Sequence, residues 1–245
     1  MIFVLLVGLV AVVAGAIASV AGFGIGSVLT PLVAWQYGVK TAVVLVAIPH
    51  FAATLLRAWR LRREVDRTVL VRFGIASAAG GLTGALLHGQ VRSSGLAVVF
   101  GCLLVLAGFL GLTRLSERLR FGRTTAWVAG VVSGGVGGLV GNQGGIRSAA
   151  LMGFDIPKEA FVATGTAIGL IVDAVRLPVY LTLEWQELLP PVWPLLGVAT
   201  AGTLLGTVAG ERVLRHIPER VFRTIVSLVI LGLGLAVLGG VGQSH

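Results

Sequence analysis

Two short apolar stretches of the chain are interrupted by glycine and proline. The first covers 22–31, Gly-Phe-Gly-Ile-Gly-Ser-Val-Leu-Thr-Pro, and the second covers 137–148, Gly-Gly-Leu-Val-Gly-Asn-Gln-Gly-Gly-Ile-Arg-Ser. Each follows the first long apolar run of its own half of the chain. In lipid, a broken backbone is tolerated only where it is buried in protein or lines a cavity. Two such segments at corresponding positions of two halves indicate the substrate site of a transporter.

The composition assigns the chain to the membrane. Of its 245 residues, 56% are hydrophobic and 12% are charged, whereas roughly 25% of the residues of a soluble domain are charged. Apolar runs and short loops account for nearly the whole chain, which leaves no soluble domain. The single cysteine, Cys102, lies inside an apolar run and has no second thiol for a disulfide or a metal site. We predict no metal and no cofactor.

The basic residues are clustered, and their distribution argues against nucleic acid as a partner. The formal net charge is +9, but thirteen of the nineteen basic residues lie in three short loops at 57–67, 114–123 and 212–223. Clusters of this kind are typical of cytoplasmic loops under the positive-inside rule. No aromatic-rich basic groove accompanies them.

The number of membrane crossings follows from these loops. A spanning helix needs about 20 residues, and eight apolar runs approach that length. They are 2–21, 40–56, 68–88, 95–113, 124–141, 159–182, 192–211 and 221–240. If the short segments 22–36 and 142–154 do not cross, the loop 212–223 lies opposite the other two basic loops. If both cross, all three loops lie inside, and both termini lie outside the cell membrane.

The sequence therefore predicts an all-α polytopic membrane protein of about ten segments. Ten segments divide into two inverted five-segment repeats, each with a short broken or re-entrant segment. The first repeat would be 1–113 and the second 124–245, joined by a cytoplasmic linker at 114–123. Gly80-x-x-x-Gly84 and Gly202-x-x-x-Gly206 occupy matching positions in the two halves, and small residues four apart let helix backbones approach closely.

The broken segments carry the candidate substrate-binding residues. A half-helix that ends near mid-membrane presents free N–H groups and a positive dipole end, which suit an anion. Polar and glycine residues around such ends are candidates: Gly24, Gly26, Ser27, Thr30, Asn142, Gln143, Gly144 and Gly145. Arg147 is the sharpest candidate, because guanidinium grips an oxyanion with two parallel bonds. The alternatives are that the glycines only permit close packing, and that Arg147 extends into water at the interface.

Three ionisable residues within the apolar runs are candidates for coupling or gating. Asp173 and Arg176 lie three apart and share a helix face, and Thr166, seven residues earlier on that face, is a further binding candidate. Either Arg176 simply neutralises Asp173, or Asp173 takes a proton during transport. His50 follows Pro49 and shares a face with Thr54 and Arg57. It is either a proton relay or a neutral hydrogen-bond donor.

The chain resembles the TauE/SafE family of sulfite and organosulfonate exporters. The stretch 22–31 looks like the first glycine-rich motif of the family, 141–151 looks like the second, and 163–167 matches the run that follows it. The family's glycine positions carry over onto Gly22, Gly24, Gly26, Gly141, Gly144 and Gly145. The resemblance implies a permease for small sulfur-containing anions. Asn142, Gln143 and Arg147 replace the apolar and small residues common in the family.

Three functions remain as hypotheses. The first is a secondary carrier for a small sulfur-containing anion, with export as the expected direction and with protons or another ion as a coupling partner. The chain has no phosphate-binding loop for ATP hydrolysis. The alternatives are a membrane-embedded partner subunit and an intramembrane enzyme, although the metalloprotease and serine-hydrolase motifs are missing. The anion and the lipid bilayer are the expected partners, and the sequence leaves the oligomeric state open.

Overall fold

The chain folds as a bundle of helices. The computed structural model describes residues 1–22, 24–113, 123–151, 154, 156–184, 192–214 and 218–240. In these ranges the helices are α1 (Ile2–Ala21), α2 (Ile25–Leu61), α3 (Arg67–Gln90), α4 (Ser93–Thr113), α5 (Arg123–Val140), α6 (Gly144–Leu151), α7 (Lys158–Leu183), α8 (Trp193–Leu214) and α9 (Glu219–Leu238). Phe23, the predicted linker except for Arg123, and part of the basic loop 212–223 lie outside the described residues.

The helices have the dimensions and the surface of a membrane protein. Among the described residues, α1, α2, α3, α4, α7 and α8 are each long and apolar enough to cross a bilayer, and α5 and α9 contain shorter apolar stretches. Large apolar side chains cover the outside of the bundle, and Leu9, Phe109 and Leu205 are more than half exposed. Lipid accommodates such a surface without cost, whereas water does not. The chain is a multi-pass membrane protein, as its composition predicts.

The helix α2 is broken at Gly38. Its φ of 75° and ψ of 160° are not helical, and glycine reaches a positive φ without steric cost. We name the part before this residue the short arm of α2 (25–37) and the part after it the long arm (39–61). A kink at one residue thus replaces a loop between the predicted segments 22–36 and 40–56. The short arm is about 20 Å long and α6 is about 12 Å long. Neither helix by itself is long enough to span a hydrocarbon core of about 30 Å.

Glycines hold α1 against α8. A Cβ atom added to Gly206 would overlap the carbonyl oxygen of Val12, and one added to Gly202 would lie 2.7 Å from the carbonyl oxygen of Gly8. The close approach predicted from Gly202-x-x-x-Gly206 is therefore confirmed. Because the contacting positions rise together along both helices, α1 and α8 are parallel.

The same packing joins α3 to α5. A Cβ atom added to Gly80 or Gly84 would overlap the carbonyl oxygens of Val131 and Gly135, respectively. This confirms the second predicted close approach. The contacting positions again rise together, and α3 and α5 are parallel. In each pair, the glycine-rich helix contacts the first helix of the other half of the chain.

The direction of α7 shows where the chain turns back. Gly74 of α3 lies near Ile168, and Gly89 lies near Leu183, so α3 and α7 are also parallel. Since α5 and α7 both run in the direction of α3, the segment between them, which contains α6, returns across the bundle. By contrast, α4 and α9 are antiparallel, because Gly101 contacts Leu238 while Gly108 contacts Leu231.

The glycine contacts predict a difference between two substitutions in α8. Gly206→Ala places a methyl group inside the backbone of α1, and overpacking of this kind costs about 1–3 kcal/mol. Gly197→Ala is a matched control, because a Cβ atom there has open space around it and alanine favours the helix by about 1 kcal/mol. We expect thermal unfolding in detergent to show a lower melting temperature for Gly206→Ala and an equal or higher one for Gly197→Ala. Equal melting temperatures would contradict the proposed tight contact.

Candidate functional site

The two glycine-rich breaks meet inside the bundle. Gly22, Gly24 and Gly141 have φ angles of 79°, 133° and 73°, which only glycine adopts easily. A Cβ atom added to Gly26 would lie 2.7 Å from the carbonyl oxygen of Gly141. Ser27 Oγ donates a hydrogen bond to Asn142 Oδ1 at 3.3 Å. The first broken segment therefore touches the second, although 115 residues separate this last pair.

Two helices begin at this meeting point. The first helical bonds are from the Val28 N–H to the Gly24 carbonyl and from the Arg147 N–H to the Gln143 carbonyl, each 3.0 Å. The N–H groups that precede these donors in α2 and α6 have no acceptor within their own helix. No side chain caps α2 at Gly24. Both helices thus direct a partial positive charge at the same place.

A small cavity of about 20 Å³ lies between these helix ends, which is room for about one ordered water molecule. Residues of α1, of both broken segments, of the long arm of α2 and of α7 surround it. They are Ala18, Gly22, Gly24, Ile25, Gly26, His50, Thr54, Arg57, Gly141, Asn142, Gln143, Gly144, Arg147, Thr166 and Gly169.

Arg147 is buried in the wall of this cavity. Its side chain is 6% exposed, and Nη2 donates a long hydrogen bond of 3.4 Å to the carbonyl oxygen of Gly22. The guanidinium lies against Gly169, where a Cβ atom would be 2.7 Å from Nη1. The missing side chain at Gly169 thus leaves room for the cation. The alternative for Arg147, a side chain that extends into water at the interface, does not fit this buried position.

Arg57 is a second cation in the same wall, and sequence reasoning missed it. Its position in the sequence places it at the start of the basic loop 57–67, but its side chain is 6% exposed and lines the cavity. Its Nη2 donates a 3.0 Å hydrogen bond to Thr166 Oγ1. The available signal was spacing, since His50, Thr54 and Arg57 recur at i, i+4 and i+7, on one helix face.

Neither of the two arginines forms a direct ion pair with a carboxylate among the described residues. The charge of Asp173 attracts Arg147 from a longer distance, and the two guanidinium charges repel each other. Both side chains are buried, and removing an unpaired charge from water costs several kcal/mol. Within the described part of the chain, no group of three His, Cys, Asp or Glu side chains is arranged to hold a metal ion. The cavity lining therefore carries an excess of positive charge.

Asp173, the buried carboxylate of α7, already has two partners. Arg176 Nη2 lies 2.9 Å from Asp173 Oδ1, a contact that their shared helix face allows. His50 Nδ1 lies 2.7 Å from Asp173 Oδ2, a contact that the sequence did not predict. Arg176 also donates a 2.8 Å hydrogen bond to the carbonyl oxygen of Gly137. This cluster ties α7 to the long arm of α2 and to the end of α5.

The structure collects most of the predicted site residues and leaves a few apart. Those that line the cavity are Gly24, Gly26, His50, Asn142, Gln143, Gly144, Arg147 and Thr166. Ser27 contacts the site through Asn142, and Asp173 and Arg176 connect to it through His50. Thr30 is buried in α2 outside the cavity lining. Gly145 lies in α6.

A second polar cluster lies at the far end of α7. Lys40 Nζ lies 3.1 Å from Glu184 Oε1 and donates a 3.1 Å hydrogen bond to the carbonyl oxygen of Gly89. The contacts of Lys40 with Glu184 and of His50 with Asp173 show that α7 is antiparallel to the long arm of α2. His50 is ten residues from Lys40, or about 15 Å along a helix. The cavity therefore lies deep in the bundle, away from this end.

The comparison with protein-family models gives one match. A family model described as "Sulfite exporter TauE/SafE" matches residues 7–237 of the 245-residue chain. No curated protein and no solved structure matches the chain. The matched range includes both broken segments and every residue that lines the cavity. The chain belongs to the TauE/SafE family of sulfite exporters.

Proposed function

We propose that the protein is a secondary carrier that exports a small sulfur-containing anion, such as sulfite or an organosulfonate. The observation that carries this proposal is the pair of buried guanidinium groups, Arg57 and Arg147, in a cavity where two helix N-termini converge. Family membership supports the substrate class. An anion between the two arginines would stabilise what is otherwise a repulsive arrangement.

The charge balance of the buried cluster supports an anionic substrate. Arg57, Arg147 and Arg176 contribute three positive charges, and Asp173 contributes one negative charge. With His50 neutral, the excess is two positive charges. A small dianion such as sulfite matches this excess, and its oxygens suit the parallel donors of a guanidinium. Free N–H groups at the start of α2 and α6 would bind the remaining oxygens.

We also propose that the chain crosses the membrane ten times, as two inverted repeats. The packing supports this arrangement, because the most extensive contacts between helices of the two proposed repeats have equivalent contacts when the two repeats are interchanged. The first helix of each half lies parallel to the glycine-rich helix of the other, in the pairs α1–α8 and α3–α5. The last helices of the two halves, α4 and α9, contact each other. The short arm of α2 and α6 would be the matching short segments.

The position of the site suggests how access alternates. The helices that carry it, α2, α6 and α7, lie between the α1–α8 pair and the α3–α5 pair. Thus α2 contacts α1 and α8, whereas α7 contacts α3 and α5. Rocking of one pair against the other would open the cavity first to one side and then to the other, as in carriers built from repeats.

Substitution of the two arginines tests the function. Arg57→Gln and Arg147→Gln each remove charge-assisted hydrogen bonds worth about 1.5–3 kcal/mol, so sulfite affinity should fall roughly ten- to a hundredfold. The assay is sulfite flux into proteoliposomes that contain the purified protein alone, which also tests whether it transports without a partner. Each change removes one of two repelling charges, so the melting temperature without anion should not fall.

Arg60→Gln is the matched control, because Arg60 is an exposed arginine on the same helix one turn from Arg57. Its flux should equal that of the unsubstituted protein. Flux that persists unchanged in both Arg57→Gln and Arg147→Gln would overturn the proposed site. An equal loss in all three variants would indicate a general effect of surface charge.

Labelling of single cysteines tests the crossings in a background that carries Cys102→Ser. If both short segments cross and the termini lie outside, Ser94→Cys should react with an impermeant maleimide on intact cells. Arg63→Cys and Arg220→Cys, all three positions being exposed, should react only after permeabilisation. External labelling of Arg220→Cys together with internal labelling of Arg63→Cys would show that the chain crosses an odd number of times between these two positions.

A further inference from the structure

The imidazole of His50 connects the cavity to the buried ion pair of α7. We propose that His50 takes up a proton when the anion binds, so that the carrier moves one proton together with each anion. This inference rests on the proposed function, because it concerns the same cavity and requires an anion in it. It specifies the coupling ion and assigns the atom that carries it.

The hydrogen bond to Asp173 determines which ring nitrogen of His50 is left without a hydrogen. Asp173 forms an ion pair with Arg176 at 2.9 Å and is therefore a carboxylate that only accepts hydrogen bonds. His50 Nδ1, 2.7 Å from Asp173 Oδ2, must then carry a hydrogen and donate it. The remaining nitrogen, Nε2, is therefore the atom to which we assign the proton that is taken up. The carboxylate orients the ring.

Charge neutralisation alone does not explain the contact between His50 and Asp173. Arg176 already supplies a full positive charge to the carboxylate, so a second cationic partner is not needed. His50 also differs from Asp173 and Arg176 in position. His50 lines the cavity, whereas the other two do not, and the side chain of Asp173 is only 1% exposed. A titratable group that faces the substrate and rests on a buried carboxylate is placed to respond to the charge of the substrate.

The charged groups around His50 make its protonation depend on the anion. They are Arg57 on its own helix, Arg147 on α6, and Asp173 and Arg176 on α7. With the cavity empty, this cluster has an excess of two positive charges, and a proton on Nε2 would raise the excess to three. A bound dianion lowers the excess from two to zero while His50 is neutral, and from three to one when His50 carries the proton, so the proton costs less with the anion present.

The linkage works in both directions. If the anion favours protonation of His50, the proton favours binding of the anion by the same factor. The step is His50 plus a proton plus the anion giving imidazolium with the anion beside it, and release on the other side reverses it. The proton comes from the water on whichever side the cavity faces. A dianion would then cross with one net negative charge, in the direction set by the combined gradients.

Calorimetry measures the coupling directly. The purified full-length protein is titrated with thiosulfate and with sulfoacetate, two anions that do not titrate near neutral pH, and separately with sulfite. Runs near pH 8, where a free imidazole is mostly neutral, are repeated in buffers of different ionisation enthalpy. The dependence of the heat on the buffer gives the number of protons. We expect an uptake approaching one proton per anion, which disappears in His50→Gln while binding persists with lower affinity.

His88→Gln is the matched control, because His88 is another histidine within an apolar helix and is buried, but it does not line the cavity. Its proton uptake should equal that of the unsubstituted protein. A second measurement does not depend on any variant. Unsubstituted protein in liposomes that contain a pH-sensitive dye should acidify the lumen when an inward thiosulfate or sulfoacetate gradient is imposed.

The outcomes separate this inference from the proposed function. Anion binding without proton uptake, or anion flux without acidification, would overturn the inference and leave the carrier function intact. Proton uptake that persists in His50→Gln would overturn the assignment to His50. If none of the three anions binds or moves, the proposed function fails, and the inference fails with it.

Discussion

The structure depends on two helix starts that lie inside the bundle. At Gly24 and Gln143 the chain begins α2 and α6 with N–H groups that their own helices cannot bond. In hydrocarbon such groups cost several kcal/mol each unless something else accepts from them. Arg57 and Arg147 line the same cavity, which increases the positive charge there. Under the proposed function, the bound anion would offset this charge.

Features encoded within one element could be predicted from the sequence. The glycine breaks, the close approaches at Gly84 and Gly206, and the pairing of Asp173 with Arg176 follow from local spacing and elementary sterics. The contact between His50 and Asp173 could not be predicted, because it depends on the rotation and register of the long arm of α2 against α7, set by packing across 123 residues. Arg57 was missed because a cation at the end of an apolar run equally suits a cytoplasmic loop.

The polar groups along α7 form two layers with different chemistry. Near the end of the helix, Lys40 and Glu184 are matched, 28% and 14% exposed, and form one ion pair. Deeper in the bundle, positive charge exceeds negative charge and exposure is nearly zero. Tyr180 lies between the layers, where its hydroxyl donates to the carbonyl oxygen of Gly138 and its ring packs beside His88. The excess charge is thus confined to the layer that contains the cavity.

The exchange of partners between the halves has a consequence for biosynthesis. α1 leaves the ribosome before α8, yet the surface that α1 packs against is on α8, whose last residue is Leu214. Until then, the backbone of α1 lacks its tight neighbour and is covered by lipid. A chain that ended before α5 would lack the helices that pack against α1 and against the glycines of α3. The glycine contacts of α1 therefore form only after α8 has been inserted.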